Sequence, residues 1–337
     1  MVYCFYDIAT NEKTKCSKTD FDSRFKALKT NEVLFFDSED FHLYHSKNAD
    51  EVYFLGFLKE SKAIGYCIFG LRDNSGRAML CMPYSSPFST FYFNPKIDDL
   101  DKARCIKGLK NMAKELNADV KLILAPDIYD ETLAISMGLV LDEGFKLQYS
   151  HVNNYYNLKE IADIDEFVSE RAHSFRKNLN KAMRSNLVSR LNDDSSLQNA
   201  YQVIKLNRAE KGYPLAMSYQ QILDISIMDK SKVDAFVVSN EQTDIAAAIV
   251  FEISSNAVQV VYWGALDEYS NLRPMEFLAM NVVKYYKEKG YDYVDIGPST
   301  ADEKISHGLL RFKKTIGCHT NFKPVFLWQT RGSYDTD

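Results

Sequence analysis

Two stretches of the chain repeat one order of apolar runs and amphipathic segments. The first opens at "EVYFLGFLKESKAIGYCIFG", where strand candidates begin at Val52 and Ala63 with polar turn residues between them. "RAMLCMPY" supplies a third strand. After "SSPFSTFYFNPKIDD", the segment "LDKARCIKGLKNMAKEL" carries Ala103, Ile106, Leu109, Met112 and Ala113 at helical spacing, and "VKLILA" follows as a short buried strand. A helix in "YDETLAISMG" and a strand around "FKLQYS" complete this half.

The second half has the same grammar. "VDAFVVS", "IAAAIVFEI" and "AVQVVYWG" read as three strands. "PMEFLAMNVVKYYKEKG" reads as a helix with Met275, Leu278, Ala279, Val282 and Tyr286 on one face, then "YDYVDIG" as a buried strand, "HGLLRFKKTIG" as a helix and "FKPVFLW" as a last strand. The paired helices start near Leu100 and Pro274 and the strands after them near Val120 and Tyr293, so the offset is nearly constant. A common offset over several elements points to a duplication. The expected fold class is α/β, mixed α+β, with an N-terminal domain over 1–158 and a helical connector plus C-terminal domain over 159–337.

The connector, "NLKEIADIDEFVSERAHSFRKNLNKAMRSNLVSRL", reads as helical, with Ile164, Phe167, Val168, Phe175, Leu179 and Met183 near an apolar face. From Arg171 to Arg190 it holds Arg171, Arg176, Lys177, Lys181, Arg184 and Arg190 and no acid. Helical spacing puts Lys177, Lys181 and Arg184 on one side, facing either a phosphate-bearing substrate or water.

Composition narrows the class. A chain of 337 residues with 46% hydrophobic and 26% charged side chains suits two folded domains. No apolar run approaches the length of about 18 residues needed to span a bilayer, and the start "MVYCFYDIATNEKTK" lacks a secretory pattern, so a cytoplasmic protein without an integral membrane segment is expected. The six cysteines are widely spaced with no CxxC pair, and "HLYH" with His42 and His45 is too short a set for zinc, so no metal is expected. A formal charge of -5 argues against DNA as a partner while leaving room for a local phosphate pocket.

"FRKNLNKA" (175–182), "YWGALDEYSNLRPMEFL" (262–278), "GYDYVDIG" (290–297) and "LLRFKKTIG" (309–317) together resemble the FemAB-like acyltransferases, which are built from two tandem GNAT-like acyltransferase domains. The likeness runs from about Glu51 to Trp328. It implies transfer of an acyl or aminoacyl group to an amine of a small or envelope-precursor substrate. The family's arginine and asparagine in the connector helix match Arg176 and Asn178, and its "FK" element matches Phe312 and Lys313, with the lysine near substrate phosphate. Members that draw on aminoacyl-tRNA commonly carry a long helical arm, and no segment here has forty or more residues of helical heptads. Acyl-CoA or acetyl-CoA is therefore the first-choice donor, with aminoacyl-tRNA as the alternative.

Acyl transfer needs a neutral amine, donors near the acyl carbonyl and a restraint on the donor. The donor region is expected at Trp263, Gly264, Ser270, Asn271 and Arg273, ahead of the helix entered at Pro274, although Asp267 and Glu268 dilute its positive charge. Asp295, at the expected C-terminal end of a strand, either accepts the acceptor's proton or caps the next loop. Lys313 is expected to bind substrate phosphate, with Arg311 and Lys314 on another face of the helix. Glu252 and His307 are weaker candidates. "GYPLAMSY" (212–219) reads as either a substrate-lining loop or a rigid connection. A non-catalytic, ligand-binding double-GNAT protein remains a further alternative.

Overall fold

The computed structural model describes residues 1–29, 33–74, 76–193, 195–229, 232–301 and 303–330. The chain packs as two units: Met1–His151 together with the chain from Phe322, and Val152–Asn321.

Unit 1 begins earlier than the apolar pattern suggests, with β1 (Val2–Asp7), β2 (Glu12–Cys16), α1 (Lys18–Lys29) and α2 (Glu39–His45). β3 (Glu51–Lys59), β4 (Lys62–Asn74), β5 (Arg77–Met82), β6 (Tyr92–Phe93), α3 (Asp99–Glu115), β7 (Asp119–Ile123), α4 (Leu133–Asp142) and β8 (Lys146–Asn157) follow. The strand order is β2-β1-β3-β4-β5-β7, with β1 parallel to β3 and β5 parallel to β7. β3 is apolar from Val52 to Leu58 because both faces are covered. Phe54 packs with Phe21 and Phe25 of α1, whereas Leu55 and Phe57 join Ile106, Leu109 and Met112 of α3. The apolar stripe read for α3 is the face it buries, and Asp98 caps its start by accepting Asp101 N at 2.8 Å.

Unit 2 contains α5 (Ile164–Ser169), α6 (His173–Met183), β9 (Leu187–Leu191), α7 (Ser196–Glu210), α8 (Tyr219–Met228), β10 (Val233–Asn240), β11 (Thr243–Ser254), β12 (Ala257–Ala265), α9 (Pro274–Glu288), β13 (Tyr293–Pro298), β14 (Thr300–Ala301), β15 (Lys304–Ile305), α10 (His307–Thr315) and the first residues of β16 (His319–Trp328), which belongs to unit 1 from Phe322 on. Its strands run β8-β13-β12-β11-β10-β9, with β12 parallel to β13. The connector is helical through Met183 and then departs from expectation. Asn186 adopts φ 52°, which ends helical propagation, and "LVSRL" becomes β9, an edge strand paired antiparallel to β10.

Each sheet is finished by a strand from the other half of the sequence. β8 closes the first half, yet its Asn153–Asn157 segment pairs with β13. β16 closes the second half, yet Val325–Trp328 pair with β7. Packing units and sequence halves are therefore different partitions of the chain. The mixed α/β class and the tandem order of elements match the sequence reading.

Candidate active site

In unit 2 the parallel ladder between β12 and β13 lasts three residue pairs: Ala257 with Tyr293, Val258 with Val294, and Gln259 with Asp295. β12 runs on to Ala265 with β11 as its ladder partner, while β13 turns away, its register on β8 slipping between Asp295 and Pro298. Gly297 takes φ 73° at this bend, a conformation in which a side chain is strained.

Buried polar side chains hold the bend. Asp295 is fully buried; its Oδ1 accepts from Gly297 N at 2.8 Å and Asn153 Nδ2 at 3.0 Å, and its Oδ2 from Gln259 Nε2 at 2.7 Å. Lys313, 2% exposed, reaches in from α10 and donates to the carbonyls of Ile296 and Gly297 at 2.8 Å and of Pro298 at 3.0 Å. An ammonium has three protons, and three backbone acceptors receive them. Asn154 Nδ2 also donates to Gly297 O at 3.0 Å and to Ser299 Oγ at 2.9 Å. Both residues singled out for chemistry thus build the strand end. Asp295 is enclosed where a cleft-facing carboxylate was expected, and Lys313 is turned to backbone where phosphate was expected. Arg311 and Lys314 are exposed on the other side of α10, as the spacing implies.

The other sequence candidates lie on β11 and β12, on the turn that follows β12, on α6 and on α10. Trp263 is half-buried on β12, with its ring 6.1 Å from that of Phe312 on α10. Ser270 and Asn271 are exposed in a short 3-10 turn, Asp267–Leu272, and Arg273 is exposed in a left-handed conformation, φ 61°, immediately before Pro274 starts α9. On α6, Phe175, Leu179 and Ala182 are buried while Arg176, Lys177, Lys181 and Arg184 are exposed. Asn178 is a packing contact: its Nδ2 donates to Glu276 Oε1 of α9 at 2.9 Å. Arg176 shares no hydrogen bond with the groups at the bend. Glu252 binds Lys232 and Tyr291, and His307 is exposed at the start of α10. Asn153, Asn154 and Gln259 were missed by sequence reasoning. Their signal was available as adjacent amides in "HVNNYYN" and a lone amide in "AVQVVYW".

The matching strand end of unit 1 is filled. The β5–β7 ladder extends from Met79 with Asp119 to Met82 with Leu122. The chain then returns so that Ser89 bridges to Leu124, with Ser89 N donating to Ile123 O at 3.1 Å and Ala125 N to Ser89 O at 2.9 Å. Beneath it, Asp37 accepts from Ser89 Oγ at 2.6 Å and Tyr92 Oη at 2.8 Å. Burial pushes the Asp37 carboxyl up to about 6, against the pull of these donors. His42 and His45 are buried beside Tyr84 and Ser85; burial pushes them down to about 3 and about 4.

No family model matches the chain, and no curated protein sequence matches it. Solved structures do. FemX superposes with a TM-score of 0.67 at 12% identity, covering 94% of this chain and 97% of FemX. The C-terminal domain of a candidate lysylphosphatidylglycerol synthetase from Agrobacterium fabrum superposes with a TM-score of 0.57 at 13% identity, covering 94% of this chain and 93% of that domain. L-PGS from Bacillus licheniformis gives 0.53 at 13% identity over 79% of this chain and 82% of that one. At these identities the likeness is one of fold, and the fold is the FemX-like one that the sequence motifs resemble.

Proposed function

We propose that the chain is an N-acyltransferase, with sequence halves 1–158 and 159–337 as its duplicated GNAT-like domains. The observation that supports this most is the parting of β12 from β13 after Gln259 and Asp295, on a fold similar to FemX. Strands that part leave backbone groups free to bind a donor arm and to meet the negative charge that develops on an acyl oxygen. The attacking amine must be neutral; its nitrogen bonds to the acyl carbon, its proton is lost, and the donor leaves from that carbon.

In this reading Trp263 and Gly264 line the donor side, with Ser270, Asn271 and Arg273 offering contacts to donor phosphate. Phe312 and Trp263 form an apolar wall, and exposed Arg176 is available to an acceptor phosphate. Asp295 and Lys313 act as positioning residues that keep β13 bent away. Asn178 acts through Glu276 by seating α6 on α9. Acyl-CoA is the preferred donor, and the helix lengths support it: among the described residues the longest helix is α3, with 17 residues. Aminoacyl-tRNA is the second reading, supported by the fold likeness to FemX. No helix among the described residues is long and apolar enough to cross a membrane.

The purified protein should form an amide when given labelled acyl-CoA and an amine panel that includes amino sugars and phosphate-bearing precursors. Amide formation only with charged tRNA would reverse the order of donors. Failure with both donors, together with calorimetry showing no CoA binding, would remove the enzymatic reading and leave a ligand-binding double-GNAT protein.

A further inference from the structure

One turn of α7 is locked onto the end of β12. Asn207 Nδ2 donates to Ala265 O at 2.6 Å, and Gly264 permits this approach, since a Cβ there would lie 2.3 Å from Asn207 Oδ1. The next residue, Arg208, is half-buried. Its Nε is buried without a hydrogen-bond partner, and its guanidinium forms no ion pair with any described residue. Its charge reaches the phenol of Tyr262 on β12, which burial raises and Arg208 partly lowers again. Tyr262 Oη in turn accepts from Met217 N at 3.0 Å, and Tyr201 Oη donates to Met217 O at 3.5 Å, so the α7–α8 loop containing "GYPLAMSY" is tied to this position.

A bare buried guanidinium nitrogen calls for an acceptor. The C-terminal dipole of α7 explains a cation in this turn but supplies nothing to Nε. Arginine's planar fork fits a two-oxygen anion, which its Nε edge can bind side-on. β12 is also the strand whose Gln259 holds Asp295 at the bend, so the α7 turn that carries Arg208 is fastened, through Asn207, to the strand that lines the opening.

We propose that Arg208 is the recognition residue of an oxyanion subsite at the end of β12, taking a carboxylate or phosphate of the acceptor substrate. The subsite deepens the acyltransferase reading and rests on it for the acceptor's identity. It gives oxyanion recognition to a side chain with no hydrogen-bond or ion-pair partner among the described residues, where Lys313 is engaged by backbone.

The test follows the Arg208 Nε–H resonance of the ¹⁵N-labelled full chain, assigned by its loss in Arg208→Lys, during titration with inorganic phosphate, acetate and chloride at constant ionic strength. The expected result is a saturable shift with phosphate or with acetate that chloride does not produce; which of the two saturates identifies the group. Arg208→Lys keeps the charge and loses the fork, and should weaken that binding about tenfold or more. The same linear drift with all three anions would overturn the subsite, as would equal affinity in the lysine variant. Because the readout is binding, a failed turnover assay with a saturable titration would count against the acyltransferase reading alone.

Discussion

The two units share an architecture up to the last residue pair of a parallel ladder and then diverge. In unit 1 the chain after β5 doubles back, Ser89 extends the ladder to Leu124, and Asp37 beneath it is satisfied by hydroxyls. In unit 2 the ladder stops at Gln259 and Asp295, and β13 is pulled aside by its own carboxylate and by Lys313. The comparison teaches that a shared order of elements does not by itself fix whether the strand end is open. Whether a strand end is sealed or open depends on a few buried polar contacts, and those contacts differ completely between the units.

The largest expected effect lies at Lys313. Lys313→Met should lower unfolding free energy by about 3–5 kcal/mol, because the Ile296 and Pro298 carbonyls lose the ammonium as donor while Gly297 O keeps only Asn154, each buried group left unsatisfied costing about 1–3 kcal/mol. Urea denaturation measures it. A change within about 0.5 kcal/mol, the usual range for a surface site, would return Lys313 to a solvent-facing, phosphate-binding role.

Unit 1 offers a pH test of its sealed end. Asp37 sits at about 6 when folded against 3.8 as its ordinary value, so its buried charge destabilises the fold above pH 6, and that cost disappears as pH falls toward 4. His42 and His45 act in the opposite sense: held at about 3 and about 4 against 6.5, they are neutral at no cost above pH 6.5 and destabilise the fold as acid protonates the unfolded chain. On acidification from pH 7 to 4 the wild type should therefore gain about 2 kcal/mol relative to Asp37→Asn. Urea unfolding across that range would show it, and a stability difference independent of pH would mean that Asp37 does not change protonation there.

Asp295→Asn sharpens the assignment at the open end. Enclosure predicts a stability loss of about 1–3 kcal/mol, since an amide nitrogen replaces an acceptor among donors. A proton-accepting role instead predicts unchanged stability with turnover reduced by roughly 10² to 10⁴. Measuring both quantities separates the two. The smallest effect belongs to Gly264→Ala, at about 1–2 kcal/mol by overpacking against Asn207. Its Arg208 Nε–H resonance should also move, because Asn207 sets the position of Arg208; an unmoved resonance would uncouple the α7 turn from β12.

Much of the site was legible as residues and little of it as geometry. "YVDIG" marks the strand that carries Asp295, the last residue of its ladder with β12, and the spacing of Arg311, Lys313 and Lys314 separates the buried lysine from its exposed neighbours. Which of the separated cations faces inward cannot be read from spacing, because α10 has few apolar residues to orient it. "LVSRL" was assigned to a helix because helical periodicity was continued past Asn186; only the free edge of β10 makes a strand there.

Local pattern alone determined the mixed α/β class, the duplicated order of strands and helices, and the apolar faces of α3 and α9. These follow from side-chain period and burial, which act over a few residues. Tertiary structure decided that β8 completes the sheet of unit 2 and β16 that of unit 1, that Asp295 and Lys313 are buried as supports of a bend, and that Arg208 Nε has no hydrogen-bond partner among the described residues. Each of those depends on groups far apart in sequence meeting at hydrogen-bond distance, and the free energy of a buried polar group is set by whichever partner the fold brings to it.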